Sequence, residues 1–318
     1  MYLVCGEALF DVFIDGENNN AGRLRLEAHP GGSPFNVSIG IARLGGRAAL
    51  LTGMSRGTLG EHLVRTLKRE SVSTQYLVRS GRRTTLSLVG VDDLGQPDYE
   101  FYGLGSADCS VTSELIPSIG PEVRGLHFGS YSIAVQPIAD AFSTLATKNT
   151  NRFISVDPNV RTMVEPNTDI WRQRLNEYAS SADLMKFSKE DLEIIYPDVE
   201  GDKIAEMLLE AGVKLVVITD GGRTVSAWTH NDHVVRVTPP ATPVVDTVGA
   251  GDSFQAALLV KLSEDGNGNP KKAVESLGSK GLENLLNFAV QAARVTCRRR
   301  GADLPHRAEL SDYVCNES

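Results

Sequence analysis

Short apolar runs of strand length recur along this chain, with helical stretches between them, and no other feature restricts the fold as much. Tyr2 to Cys5, Ala48 to Thr52, Gly125 to Phe128, Phe153 to Val156, Leu184 to Phe187 and Leu215 to Thr219 are almost continuously apolar. Strands covered on both faces have that pattern. Between them, Leu59 to Arg69 puts Leu59, Leu63, Val64 and Leu67 on one helical face, and Asp191 to Tyr196 and Asp202 to Ala211 also read as helices. Pro34 to Leu44 has mostly helical spacing with some strand-like alternation. Strands that alternate with helices need crossover connections, which predicts a parallel sheet between two helical layers. Val225 to Trp228 and His233 to Val237 read instead as a hairpin through His230-Asn-Asp, so the end of the sheet is expected to be antiparallel.

Two stretches break the rhythm. Asp11 to Ala28 and Arg83 to Tyr102 carry strand patterns and turns without a helix signal, the second as a hairpin about Asp93-Leu-Gly. Two β insertions in an α/β body predict a small lid from about 11–30 and 82–108, on a core of 1–10, 31–81 and 109–318. With no internal repeat and no separating linker, residues 1–318 are expected to form a single domain.

Composition removes several function classes. Hydrophobic residues at 41% and charged residues at 23% describe a chain that folds around a core. Forty acids against 32 bases give a net charge of -8, the wrong sign for a sequence-independent hold on nucleic acid. No apolar run approaches the ~18 residues of a membrane span. Glu7 interrupts the apolar N-terminus too early for a signal peptide. The cysteines, Cys5, Cys109, Cys297 and Cys315, form no CxxC pair, which excludes zinc and redox motifs. The expectation is a soluble cytoplasmic protein with neither nucleic-acid nor membrane partners.

Val244 to Val260 carries the chemistry. Gly249, Ala250 and Gly251 precede a long apolar helix expected to begin at about Ser253. Small residues there leave backbone N–H groups to face an anion, where the helix dipole favours negative charge. Asp252 follows directly. A carboxylate on the acceptor side of a bound phosphate could take the proton of an attacking hydroxyl while the amides stabilise developing charge. An ordinary helix N-cap explains the same four residues equally well.

Asp246-Thr-Val-Gly-Ala-Gly-Asp is similar to the C-terminal signature of the ribokinase-like (PfkB) sugar kinases, D-T-x-G-A-G-D. Gly31-Gly-Ser-Pro-Phe-Asn followed by Ala42-Arg-Leu-Gly resembles the N-terminal signature, and Asp157-Pro-Asn-Val-Arg lies between them, so the likeness spans the chain. It implies a three-layer α/β/α ribokinase-like fold with a mostly parallel central sheet and a small β-sheet lid. It also implies a phosphotransferase acting on a sugar hydroxyl with ATP and Mg2+.

Residue by residue, the resemblance makes Asp252 the catalytic base and the amides of Gly249, Ala250 and Gly251 the anion hole. It assigns Asp11, Gly31, Gly32, Asn36 and the lid residue Phe101 to the sugar, and Arg161 to the space between sugar and phosphates. Lys186-Phe-Ser-Lys-Glu-Asp resembles K-x-N-x-x-E, a segment that orders magnesium through water. Here Ser188 and Asp191 replace the Asn and Glu. Ser188 can equally be the N-cap of the following helix. Thr219-Asp-Gly-Gly, with Gly221 and Gly222, resembles the loop that carries nucleotide phosphates. Asp246, the carbonyl of Val248 and the loop near Arg299 to Gly301 match the place where relatives hold a monovalent cation, K+. Relatives also dimerise through the lid, so a homodimer is expected.

Asp157-Pro-Asn-Val-Arg161, Phe101-Tyr102 and Ser106-Ala-Asp are most like fructokinases and 2-keto-3-deoxygluconate kinases. Relatives of both kinds carry Arg after the Phe-Tyr pair, where this chain has Gly103. Loss of a lid cation harms an acidic substrate more than a neutral one, which favours fructose. The keto acid, or another sugar of the family, is the alternative. A non-catalytic sugar- or nucleotide-binding protein on the same fold is the reading from another class.

Two further motifs compete. Gly53-Met-Ser-Arg-Gly57 matches the G-x-S-x-G elbow of serine hydrolases, although too little chain precedes it for the upstream oxyanion loop. His230-Asn-Asp-His233 suggests a metal, but in a hairpin turn without a third ligand it reads as a solvated turn.

Overall fold

The structure, a computed structural model, describes residues 1–15, 25–91 and 97–310. In chain order its strands are β1 (Tyr2–Cys5), β2 (Leu9–Asp15), β3 (Arg25–Gly31), β4 (Ala48–Leu51), β5 (Gly53–Ser55), β6 (Val78–Ser80) and β7 (Leu86–Val91). Then come β8 (Pro97–Tyr102), β9 (Gly125–Gly129), β10 (Phe153–Asp157), β11 (Leu184–Ser188), β12 (Leu215–Asp220), β13 (Thr224–Thr229) and β14 (Val234–Val237). The α-helices are α1 (Ser33–Arg43), α2 (Thr58–Arg69), α3 (Ile138–Thr147), α4 (Thr168–Ala179), α5 (Lys189–Ile195), α6 (Gly201–Glu210), α7 (Ala250–Asp265), α8 (Pro270–Glu275) and α9 (Ser279–Cys297).

Eight strands form the main sheet in the order β14-β13-β12-β11-β10-β9-β1-β4. The pairings from β4 to β12 are parallel, and β13 and β14 add as an antiparallel hairpin. Alternation along β1 shows why the sheet is buried on both sides. Tyr2 and Val4 pack with α1, α2, α7, α8 and α9, whereas Leu3 and Cys5 pack with α3, α4, α5 and α6. Each fully buried side chain of Leu or Val size contributes ~1.5–3 kcal/mol. The sheet and its two helical layers are the ribokinase-like α/β architecture expected from the sequence.

A second sheet has the order β3-β2-β7-β8. Its two antiparallel pairs are joined by a parallel β2–β7 contact, in which Asp11 pairs with Ser87. The Asp93-Leu-Gly turn and Cys315 lie outside the described residues. The β5–β6 pair forms a small separate ribbon.

Helix α7 begins at Ala250 and not near Ser253. Gly249 is its N-cap in the left-handed region, with φ 78°, where a side chain is strained and a Cβ would come within 2.8 Å of Ala302. Asp252 is therefore a residue of the first helical turn and not the N-cap. The helix packs between α1 and α9, and Phe254 to Val260 are buried throughout. That packing fixes Asp252 from behind.

Candidate active site

Strands β9 to β12 end on one side of the sheet, where ligands of open α/β folds bind. A cleft of about 700 Å3 lies there, roofed by the second sheet. Asp157, Ser188 and Thr219 contribute from the carboxyl ends of β10, β11 and β12, and Asp11, Ser87 and Phe101 from the roof. The first turns of α1 and α7 bring Gly32, Ser33, Asn36, Gly249, Gly251 and Asp252.

The cleft brings together most residues singled out from sequence: Asp252, Gly249, Gly251, Arg161, Asp11, Gly32, Asn36, Phe101, Lys186, Ser188, Thr219, Gly221, Asp191 and Val248. Gly31, Gly222, Ala250 and Asp246 do not line it. Gly31 instead sits under Asp11, where a Cβ would come within 2.3 Å of Oδ2. The Ala250 amide donates to the Thr247 carbonyl at 3.2 Å, so within the glycine turn it is Gly249 and Gly251 that border the open space.

Asp252 is buried, and both its oxygens are held. Ser33 Oγ donates to Oδ1 at 2.7 Å and Asn36 Nδ2 donates to Oδ2 at 2.8 Å. Burial raises the carboxyl above the ordinary Asp range, against the pull of those two donors and of Lys186 and Arg161. A base of raised pKa with lone pairs still available accepts a proton more readily than an exposed Asp. Ser33 has no signal of its own in the sequence, because it lies inside the glycine signature and serines are common at helix starts. Asn36 lines the cleft with its side-chain amide tied to Asp252, so it supports the carboxylate as well as the wall.

Behind the glycine turn, Lys186 Nζ lies 2.7 Å from Asp157 Oδ2. Burial works against the ammonium, but Asp157, Asp191 and Asp252 together raise its pKa. Asp157 Oδ1 is buried without a hydrogen-bond partner, and burial lifts this carboxyl to about 6. The two residues sit in separate segments, and nothing in either segment points to the other.

Asp191 is the third residue of α5 and forms a capping box with Ser188: Ser188 Oγ accepts the Asp191 amide at 3.0 Å, and Asp191 Oδ2 accepts the Ser188 amide at 2.9 Å. Oδ1 accepts the Val160 amide at 2.6 Å, so the carboxylate also fixes the turn that carries Arg161. Asp246 ties its loop to Gly301, whose amide lies 2.8 Å from Oδ2, while Val248 N donates to Oδ1. Partial burial opposes its charge, but these amides hold its pKa below the usual value.

The lid explains the glycine after Phe-Tyr. A Cβ at Gly103 would lie 2.1 Å from Cε1 of Phe101, whose ring meets Tyr131 edge-on at 5.2 Å. An arginine there has no room unless Phe101 leaves the cleft wall. The competing motifs go elsewhere. Ser55 is buried in the β5–β6 ribbon and accepts the Gly57 amide, away from the cleft. His230 and His233 face Lys214 and Ser279 respectively, and among the described residues no cluster of three His, Cys, Asp or Glu could hold a metal. No helix among them is long and apolar enough to cross a membrane.

Comparison with known proteins shows the family. Residues 2–308 match the family described as pfkB family carbohydrate kinase. A fructokinase of Rhizobium leguminosarum bv. trifolii is 35% identical over 285 residues, covering 89% of this chain and 86% of its own. A fructokinase from Xylella fastidiosa with bound ATP superposes with a TM-score of 0.91 at 23% identity, over 99% of this chain and 98% of its own. A fructokinase double mutant from Vibrio cholerae O395, with fructose, ADP and potassium bound, gives 0.81 at 25% identity over 98% and 97%. With its two signatures folded onto one cleft, the chain belongs to the pfkB family of carbohydrate kinases and is fructokinase-like.

Proposed function

We propose that this kinase transfers the γ-phosphoryl group of ATP to a hydroxyl of fructose, with Asp252 as general base. The observation that carries the reading is the placement of Asp252: buried, gripped by Ser33 and Asn36, and set in the same cleft as the Gly249–Gly251 turn. The sugar lies under the second sheet against Asp11, Gly32, Asn36 and Phe101, and the phosphates lie along Gly249, Gly251, Lys186, Ser188, Thr219 and Gly221. Arg161 bridges the two regions with a fork suited to phosphate oxygens.

Asp252 takes the proton of the attacking hydroxyl, the glycine turn meets the charge that builds on the moving phosphoryl, and Lys186 adds a fixed positive charge. The lid keeps water from competing with the sugar. The chain acts in this reading as one unit, 1–318, with the lid from about 11–30 and 82–108. Substrate neutrality is supported by the wall: Asp11 and Asp252 crowd the sugar side, and Gly103 excludes the arginine an acidic sugar needs.

The cleft fits a magnesium nucleotide, because Asp191 and the unpartnered Oδ1 of Asp157 offer acceptors to the waters of a bound Mg2+. When bound, the ion neutralises phosphate charge. Asp246, the Val248 carbonyl and the 299–301 loop, already joined by hydrogen bonds, suit K+ in the same way. The test is ADP release from ATP and Mg2+ across fructose, 2-keto-3-deoxygluconate, ribose and adenosine, with Asp252→Asn beside wild type. Turnover on fructose that falls ~10²–10⁴-fold in the variant is expected. Activity on the keto acid alone overturns the substrate, and an Asp252→Asn protein of full activity overturns the mechanism.

A further inference from the structure

Glu7 sits in the loop between β1 and β2, 1% exposed, and the chemistry above gives it no task of its own. Its Oε1 accepts the Ser33 amide at 3.2 Å, while its Oε2 is buried with no hydrogen-bond partner. Such a group is costly to bury, so its place needs a reason. Helix α1 supplies one. Its N-cap is Gly32, which has no side chain, and Glu7 satisfies the first orphan amide from outside the helix. Gly32, at φ 103°, lies so close that a Cβ would come within 2.9 Å of the Glu7 carbonyl. The same first turn carries Ser33 and Asn36, the two donors that hold Asp252.

We propose that Glu7 is a positioning residue for Asp252, acting through the Ser33 amide on the α1 turn that grips both carboxylate oxygens. The proposal deepens the reading of Asp252 as the base and rests on it. Burial lifts Glu7 to about 8 against the pull of Ser130 and Arg161, with Asp108 adding to the rise, so the neutral acid is the favoured form at pH 7. A neutral acid accepts the Ser33 amide without adding negative charge beside Asp11 and Asp252.

The experiment compares Glu7→Ala, Glu7→Gln, Ser33→Ala and the Glu7→Ala/Ser33→Ala double variant with wild type, in steady-state kinetics and thermal unfolding. Glu7→Ala is expected to lower kcat at least ~10-fold with the sugar KM within ~3-fold, the mark of a misplaced reacting group. Glu7→Gln, which keeps a neutral acceptor, restores kcat to within ~3-fold of wild type, and the double variant loses no more than the worse single one. A KM effect with unchanged kcat overturns the proposal, as do single losses that multiply in the double variant. If wild type phosphorylates no sugar, it is the proposed function that fails, whereas an active wild type with Glu7→Ala at full kcat overturns this inference alone. Should Glu7→Ala not fold, Glu7→Met takes its place.

Discussion

Lys186 and Asp157, on adjacent parallel strands, form a 2.7 Å ion pair whose side chains are only 5% and 3% exposed. Removing one partner of a buried pair leaves the other charge unpaired, which costs about 3–5 kcal/mol. Lys186→Met is therefore expected to unfold at lower urea concentration than wild type at pH 7. Burial lifts Asp157 to about 6 even with Lys186 holding it down, and removing Lys186 raises the carboxyl further, so lowering the pH from 7 to 5 protonates the stranded group and recovers part of the loss. Urea titrations at pH 5 and 7 check both statements. Unchanged stability at pH 7 would show that the pair contributes nothing to the fold.

His127 acts in the opposite sense and makes the fold less stable as the pH falls. Its ring is buried, with Nδ1 3.1 Å from Ser155 Oγ and Nε2 without a partner, and burial followed by the charge of Lys186 lowers its pKa to about 3. The unfolded chain binds a proton at this residue near 6.5, and the folded chain does so only near 3. Stability present above pH 6.5 is thus lost as the pH falls toward 3, at up to ~1.4 kcal/mol per pH unit. His127→Gln is expected to show a shallower acid decline in chemical denaturation between pH 6.5 and 4. An identical slope would mean that the ring is charged in the folded protein.

The parts of this molecule that can be read in the sequence share a local physical signal. Strands β1, β9, β10, β11 and β12 announce themselves because burial on both faces demands consecutive apolar residues. The glycine turn before α7 is legible because few other residues tolerate its backbone, yet those same small residues carry no helical periodicity, so the sequence puts the helix start about three residues late. Glu7, Ser33 and His127 have no such signal. Each acts on a partner remote in sequence, as Ser33 does on Asp252 at a separation of 219, and only the packing of α1 against α7 brings that pair together. An acid inside the apolar stretch from Met1 to Phe10 is the one visible hint of Glu7.

Gly103 is a test of how the lid shapes the sugar site. A methyl group at this position meets the Phe101 ring at 2.1 Å, and a half-buried ring that can swing yields more cheaply than backbone. Gly103→Ala is expected to displace Phe101 from the cleft wall and raise the KM for the sugar several-fold. The Tm should fall only modestly, since overpacking costs ~1–3 kcal/mol even in a full core. A variant with the sugar KM of wild type would show that Phe101 does not border the bound sugar.

The second sheet ends in β3 and β8, which pair with no further strand among the described residues, and it exposes Phe13, Leu26 and Tyr102. Open edges with apolar side chains invite pairing with another strand, and a second copy of the same sheet can cover them. A homodimer through the lid is therefore expected, with Leu26 inside the interface. Light scattering at micromolar concentration should give twice the mass of the 34.3 kDa chain. Leu26→Lys, which places a charge on β3 outside the cleft, should shift the protein toward the monomer. A monomeric mass for wild type would leave the lid without its proposed partner, and an unchanged dimer in Leu26→Lys would move the interface elsewhere.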